Sequence, residues 1–394
     1  MTKTGEAAPP RRIAAGDIVA VFCEQLGAWT AAQITDVDTG SATAGVLDLD
    51  WFGPEPERVA DLGDVQPLRL SHHSWAGQIS HCNYDWVLPR GFKVIGSLPL
   101  FHEQRSNSYG GGWGVGQQLF LQRRWDEGLR DTWSDPHAME CSGADLNMLL
   151  EKTAEPDTDL RRLTVREIEA LDGARLVARF PRLTSLSLSG ALGTFSGAGR
   201  LNELSSLKRL SIRNLFGMGA SDCLLPSHAV ALESLELDSV PAEYAKAMGS
   251  AWRPEVAMGT YLDIRKPRKP EWVAENRDNP FREWDGDGHV PRGAYKKTLE
   301  YYKQTRDAVV AVLTGAPSGP SNTEQASQLY EIGERYGEAF NALDVRYEFI
   351  ETIEREHLFE VLDGIVAAVE AELGTELPWA RESLAEGADS VRDW

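Results

Sequence analysis

A chain of 394 residues, 42% hydrophobic and 25% charged, has room for two or three globular cores and is too apolar to be a disordered chain. Its 60 acidic against 40 basic side chains give a net charge of −20, which repels phosphate backbones and argues against nucleic-acid binding. Four dispersed cysteines without a C-x-x-C pair argue against a disulfide frame or structural zinc. No stretch has the length and apolarity of a membrane span or secretory leader, so a reducing cytoplasm is the expected compartment.

Charge and pattern divide the chain. Residues 1–150 carry 11 basic and 19 acidic side chains, residues 151–294 carry 20 and 21, and residues 295–394 carry 9 and 20. A nearly neutral middle thus separates two acidic flanks. The polar start, 1–11, is expected to be a disordered tail. Abundant Ala, Gly, Asp, Glu and Arg with little Lys points to a bacterial source.

Over 12–150, "GDIVAVF", "WTAAQITDVD" and "AGVLDLDWF" are short β-rich runs between glycine or polar turns, predicting a small twisted sheet or barrel. Seven of the 12 tryptophans fall in residues 1–133, and they are expected to fill its core. "LSHHSWAGQISHCNYDW" brings His72, His73, His81, Cys82 and Asp85 close in sequence. A thiol nucleophile would need an adjacent base, and a zinc site three or four converging ligands. No partner motif completes either, so structural histidines are expected. "YGGGWGVGQQ" (109–118) lacks the spacing of a phosphate loop and reads as a flexible loop. "GQQLFLQRRWDEGL" and "SGADLNMLLEKT" predict short helices, the second capped by Ser142. His137 and Cys141 would share a metal only if their stretch were helical, which Pro136 disfavours.

The middle, 151–265, repeats. "LRRLTV", "LTSLSL", "LKRLSI" and "LESLEL" begin at 160, 183, 207 and 232, in steps of 23, 24 and 25 residues. The last two apolar positions of each unit lie two apart and so share one face of a short strand. "TYLDIR", with Leu262 and Ile264, is a fifth candidate strand. Between the strands, "TVREIEALDGARLVARF" and "PAEYAKAMGSAW" predict helices, the first anchored by Ile168, Leu171, Leu176 and Phe180.

This L-x-x-L-x-L register resembles leucine-rich repeats, over about 110 of the 394 residues. The Asn or Cys that the family places three residues after the last leucine is replaced by Ile168, Ala191, Leu215 and Val240. Apolar packing must then stand in for the amide ladder, and a short, irregular arc is expected. The fold expected is α/β: a solenoid of four to five repeats with parallel strands, between a β-rich domain and a helical bundle. Such arcs usually bind proteins. The residues between the leucines are expected on the concave face, with Arg162, Arg166, Ser187, Arg209, Ser211, Arg213, Glu236 and Asp238 as the candidate docking site. Arginine anchors interfaces by gripping carboxylates bidentately, provided it is not already paired at home.

"RKPRKPEWVAENRDNPFREWDGDGHVPRG" (266–294) reads as an extended, proline-punctuated linker. Its "DGDGH" puts Lys296 where a calcium loop needs glutamate, leaving a turn. Over 295–394 four helices are expected, including one capped by Ser321 and Glu324 and a long one over about 345–373. They are expected to form a bundle covering the end of the repeat sheet.

Together these features predict a non-enzymatic scaffold that binds another protein, with no cofactor, metal, nucleic acid or membrane involved and an open oligomeric state. An immunity- or defence-type component that binds a basic toxin or trigger is one alternative. A hydrolase or metal site built on the His/Cys cluster is another. Convergence of those side chains would decide the latter.

Overall fold

The computed structural model describes residues 13–152, 155–315 and 322–394. The expected tail over 1–11 and the Ser321 cap lie outside the described residues. The chain forms two compact units that divide between Pro270 and Glu271.

The first unit opens with an antiparallel sheet of β1 (Asp17–Cys23), β2 (Ala28–Asp38) and β3 (Thr43–Gly53). A two-residue pair, β4 (Arg69–Leu70) and β5 (Gln78–Ile79), precedes β6 (His81–Asp85) and β7 (Lys93–Ser97). The sheet order is β6-β3-β2-β1-β7. Strand alternation sends Val19, Ala32, Ile34 and Val46 to one face and Ile18, Ala20, Ala31 and Leu49 to the other, and both faces are covered. The core is therefore mainly aliphatic, with Phe92 its one buried aromatic ring among the described residues of these two clusters. Trp29, Trp51, Trp86 and Trp113 pack only partly buried around it, contrary to the expectation that tryptophan fills it. Their N–H groups need polar partners, which the rim supplies: the Trp113 indole donates to the Asp85 carbonyl at 2.9 Å.

Helix α1 (Gln117–Asp126) leads to a six-stranded, wholly parallel sheet. Its strands are β8 (Ala138–Ser142), β9 (Arg162–Asp172), β10 (Ser185–Ser196), β11 (Arg209–Phe216), β12 (Ser234–Asp238) and β13 (Tyr261–Arg265), in sequence order. Met139, Leu163, Leu186, Leu210, Leu235 and Leu262 stand in one ladder. Cys141, Val165, Leu188, Ile212, Leu237 and Ile264 stand in the next. From β9 to β12 these side chains are at most 1% exposed and belong to one continuous core. The sheet thus begins at Ala138, inside the span assigned to the N-terminal domain, and β8 keeps His137 and Cys141 off any helix.

The chain returns between strands through α2 (Gly143–Lys152), α3 (Gly173–Arg179), 3-10 turns, and α4 (Ala242–Trp252). Ser142 Oγ accepts from the Asp145 N–H at 3.1 Å, as its capping role predicts. The helix expected from 164 onward is instead the long strand β9 followed by α3. Asp172 starts that helix late, accepting from the Ala174 N–H at 2.8 Å. Ile168, Leu171, Leu176 and Phe180 are nonetheless all buried. Ile168, Leu215 and Val240 are buried too, whereas Ala191 is exposed. Glu167, Asn214, Ser239 and Lys266, each two residues past the last apolar strand position, have φ between 47° and 55°. A left-handed residue thus bends the chain inside β9 and β11 and ends β12 and β13 at the equivalent position.

The second unit holds α5 (Pro270–Glu275), whose first residue lies at the division, then α6 (Arg292–Leu313), α7 (Asn322–Tyr347), α8 (Thr352–Leu373) and α9 (Pro378–Val391). From Glu271 onward the expected linker over 266–294 is part of this unit: Phe281, Trp284 and Val290 are buried in its core. The long helix expected over 345–373 starts only at Thr352. Glu348 has φ 49°, and the Phe349 and Ile350 N–H groups donate to the Asp344 carboxylate at 2.9 and 2.8 Å. No helix among the described residues is long and apolar enough to cross a membrane.

Candidate binding site

The polar face of the parallel sheet carries the ladders Arg162, Ser185, Arg209, Ser234, Tyr261 and Thr164, Ser187, Ser211, Glu236, Asp263. That face is not open along its length. The N-terminal sheet's loops are fastened to the approaches of β12 and β13 by Arg90. Its Nε donates to the Leu232 carbonyl at 3.1 Å and to Thr260 Oγ at 3.0 Å, while its guanidinium pairs with Glu255. The Gly91 N–H donates to Glu233 Oε1 at 3.2 Å, and Lys208 pairs with Glu24 at 3.3 Å. A side chain at Gly259 would collide with the Leu88 carbonyl oxygen, 2.7 Å from the Cβ position.

Two cavities lie between this cover and the sheet. The smaller, about 160 Å³, has Ser187, Ser211 and Glu236 on its floor and Asp85, Gly111 and Gly112 among the residues opposite. The larger, about 360 Å³, runs past Phe22, Trp133, Arg162 and Lys208. Arg209, Glu233 and Trp113 line both. The glycine-rich segment is held here by hydrogen bonds that continue the edge of β6: Asn83 N–H to the Ser108 carbonyl at 2.8 Å, and Gly110 N–H to the Asn83 carbonyl at 3.0 Å. No Cβ would meet anything within 4 Å at Gly111 or Gly112, so the backbone there faces open space.

The eight sequence-predicted site residues separate into three groups. Ser187, Arg209, Ser211 and Glu236 meet at the smaller cavity. Arg162 lies in the larger one, already paired with Asp135. Arg166, Arg213 and Asp238 lie away from both, on the ladder toward the strand ends. Arg166 pairs with Glu140 at 3.0 Å, Arg213 lies 4.0 Å from Asp238, and Arg265 pairs with Asp263 at 3.0 Å. Arg209 differs from all of these: it is exposed, and its guanidinium makes no hydrogen bond or ion pair with any described residue. The expected docking residues therefore do not form one face, and neighbouring acids neutralise Arg162, Arg166 and Arg213.

Burial pushes the Asp85 carboxyl up to about 6, and the charge of Glu236 adds to the shift. Asp85 Oδ1 accepts the Val87 N–H at 2.9 Å, and Glu236 accepts from Ser234 Oγ at 3.2 Å. Burial likewise raises Glu233, with Lys208 opposing it. Asp85, Glu233, Tyr261 and the Gly111–Gly112 segment escaped the sequence reading as members of one site, since they come from four separate stretches.

The His/Cys cluster does not converge. His72 and His73 face each other with Nδ1 atoms 3.0 Å apart, and His72 Nε2 lies 3.1 Å from Gln118 Oε1. His81 Nε2 lies 2.8 Å from Thr35 Oγ1 and, with Cys82, lines a separate cleft of about 680 Å³. Burial raises the Cys82 thiol, the opposite of what a thiolate nucleophile requires. Asp85 points elsewhere, into the smaller cavity. Among the described residues no three His, Cys, Asp or Glu side chains are arranged to hold a metal ion.

Comparison of the chain with protein-family models, with curated proteins and with solved structures found no match.

Proposed function

We propose that the protein is a non-enzymatic recognition module whose parallel sheet is a short, irregular leucine-rich-repeat arc. Its partner is another protein, which it takes at the cleft where the β domain overhangs the sheet. One observation carries this reading: Arg209 stands exposed and unpaired at the junction of two cavities, while neighbouring arginines are matched to carboxylates. An exposed guanidinium beside hydroxyls and open backbone is a ready anchor for a partner's carboxylate. The unpaired Asp85 and Glu236 favour a partner that also brings positive charge, in keeping with the net charge of −20. A basic toxin or trigger of the defence kind would satisfy both.

The test is capture from the native cytosol with wild type, Arg209→Glu and an Arg166→Glu control. A partner held by wild type and by the control but lost from Arg209→Glu supports the reading. A partner held equally by all three sinks it. Association should also slow as salt is raised, because opposite net charges steer the encounter.

A further inference from the structure

The two cavities share Arg209, and the charges around them are ordered. Arg209 and Glu236 sit on adjacent strands, offset by two residues, since Ser211 is the register partner of Glu236. Strand spacing and rise place their Cα atoms about 8 Å apart. Asp85 faces the same space from the opposite wall, under Gly111 and Gly112. The smaller cavity is thus lined by one cation, Arg209, and three carboxylates: Asp85 and Glu236, which are in no ion pair with a described residue, and Glu233, which accepts from the Gly91 N–H. A cavity of about 160 Å³ has room for one long side chain and not for a folded element. The larger cavity, about 360 Å³, shares Arg209, Glu233 and Trp113 with the smaller one and leaves room for main chain to arrive.

We infer that the cleft reads the C-terminus of a polypeptide that ends in a basic residue. The terminal side chain enters between Asp85 and Glu236, the terminal carboxylate meets Arg209, and the preceding residues leave through the larger cavity past Trp133. The inference rests on the partner reading above and names the element of the partner that is recognised. An internal basic residue would bring no carboxylate to Arg209, and a terminal apolar residue would leave two desolvated carboxylates unmatched.

The experiment titrates the full-length protein, by calorimetry, with Gly-Ser-Gly-Ala-Arg as the free acid. Three comparison probes are the same peptide amidated, the same peptide ending in norleucine, and free L-arginine. The free acid should bind saturably, with the amide and the norleucine peptide each at least tenfold weaker. Arg209→Gln should abolish discrimination against the amide while keeping preference for arginine over norleucine. Glu236→Gln should do the reverse. Equal binding of acid and amide, no binding of any peptide, or free L-arginine binding as tightly as the peptide would overturn the inference. If the peptides fail while a captured partner still depends on Arg209, the partner reading survives without it. If the peptides bind but no captured partner depends on Arg209, it is the partner reading that falls.

Discussion

Arg90 and Thr260 lie 170 residues apart in sequence and 3.0 Å apart in space, guanidinium Nε to hydroxyl oxygen. Thr260 Oγ1 in turn donates to the Leu232 carbonyl at 2.7 Å, which also accepts from Arg90. One side chain of the β domain therefore satisfies two groups at the entrances of β12 and β13, and it helps to hold the overhang above the sheet. Arg90→Ala should lower stability by about 2 kcal/mol, the loss of charge-assisted hydrogen bonds from a partly buried site. It should also expose the 85–92 loop to trypsin and chymotrypsin earlier than the sheet itself. Urea unfolding with timed proteolysis checks both. An unchanged midpoint and digestion pattern would mean that the cover is held by other contacts.

Two raised carboxyls set a pH dependence. Asp48 and Asp85 each have a folded pKa of about 6, above the usual carboxylate value, with burial the first cause in both. The folded state therefore binds more protons than the unfolded chain between about pH 4 and 6. These groups are most favourable below pH 4, and their contribution is lost as pH rises through 6. The loss is on the order of 2–3 kcal/mol for the fully buried Asp48 and about 2 kcal/mol for Asp85. Exposed acids with lowered values, such as Asp61, act in the opposite direction, so the readout is the difference from variants. Asp48→Asn, which keeps an acceptor for Ser80 Oγ at 2.6 Å, and Asp85→Asn should each gain stability relative to wild type between pH 4 and 7. Parallel curves across that range would contradict the assignment.

The left-handed residues of the repeat strands predict a backbone effect. Glu167 is exposed with φ 55°, a conformation that costs a residue with a Cβ about 1 kcal/mol. Glu167→Gly should therefore raise stability by roughly 0.5 kcal/mol and Glu167→Val should lower it by at least about 1 kcal/mol. Asn214→Gly, at φ 52°, should change less, because asparagine tolerates this region. Thermal melts of the three variants check the order. Equal losses at Glu167 for glycine and valine would show that the side chain, not the backbone, matters there.

What could be read in advance follows from how local each signal is. The ladders from Leu163 to Leu262 were legible because a two-residue beat inside a period of about 24 is written within each strand. Ile168 and Leu171 misled because a spacing of three suits a helix, whereas the left-handed residue Glu167 re-phases the strand so that Val165 and Ile168, three apart, are both buried. Phe281 and Trp284 are isolated apolar residues among prolines, so nothing nearby announced a core. The cleft was the least legible feature. Asp85 was weighed beside His81 and Cys82, its neighbours in sequence, whereas its partner in space is Glu236. The glycine-rich segment was judged against phosphate loops, and what it faces depends on the docking of two sheets.

The helical unit offers a last test, in the contact between α7 and α9. The Cβ positions at Gly333 and Gly387 would fall against the Leu384 and Tyr330 carbonyl oxygens, and that at Gly337 would lie 2.7 Å from the Ala388 oxygen. Backbone meets backbone at all three, so no flexible side chain can move aside. Asn341 Nδ2, donating to the Val391 carbonyl at 2.7 Å, holds the far end of the pair at the same close spacing. Gly387→Ala should then cost about 1–3 kcal/mol through overpacking, despite alanine's better helix propensity. Gly364, on the exposed face of α8 with nothing within 4 Å of its Cβ position, supplies the control. There the same change should stabilise by up to about 1 kcal/mol. Chemical unfolding of the two variants separates the terms, since propensity is common to both and close packing belongs to one. If Gly387→Ala were as benign as Gly364→Ala, the two helices would have to be able to move apart at little cost.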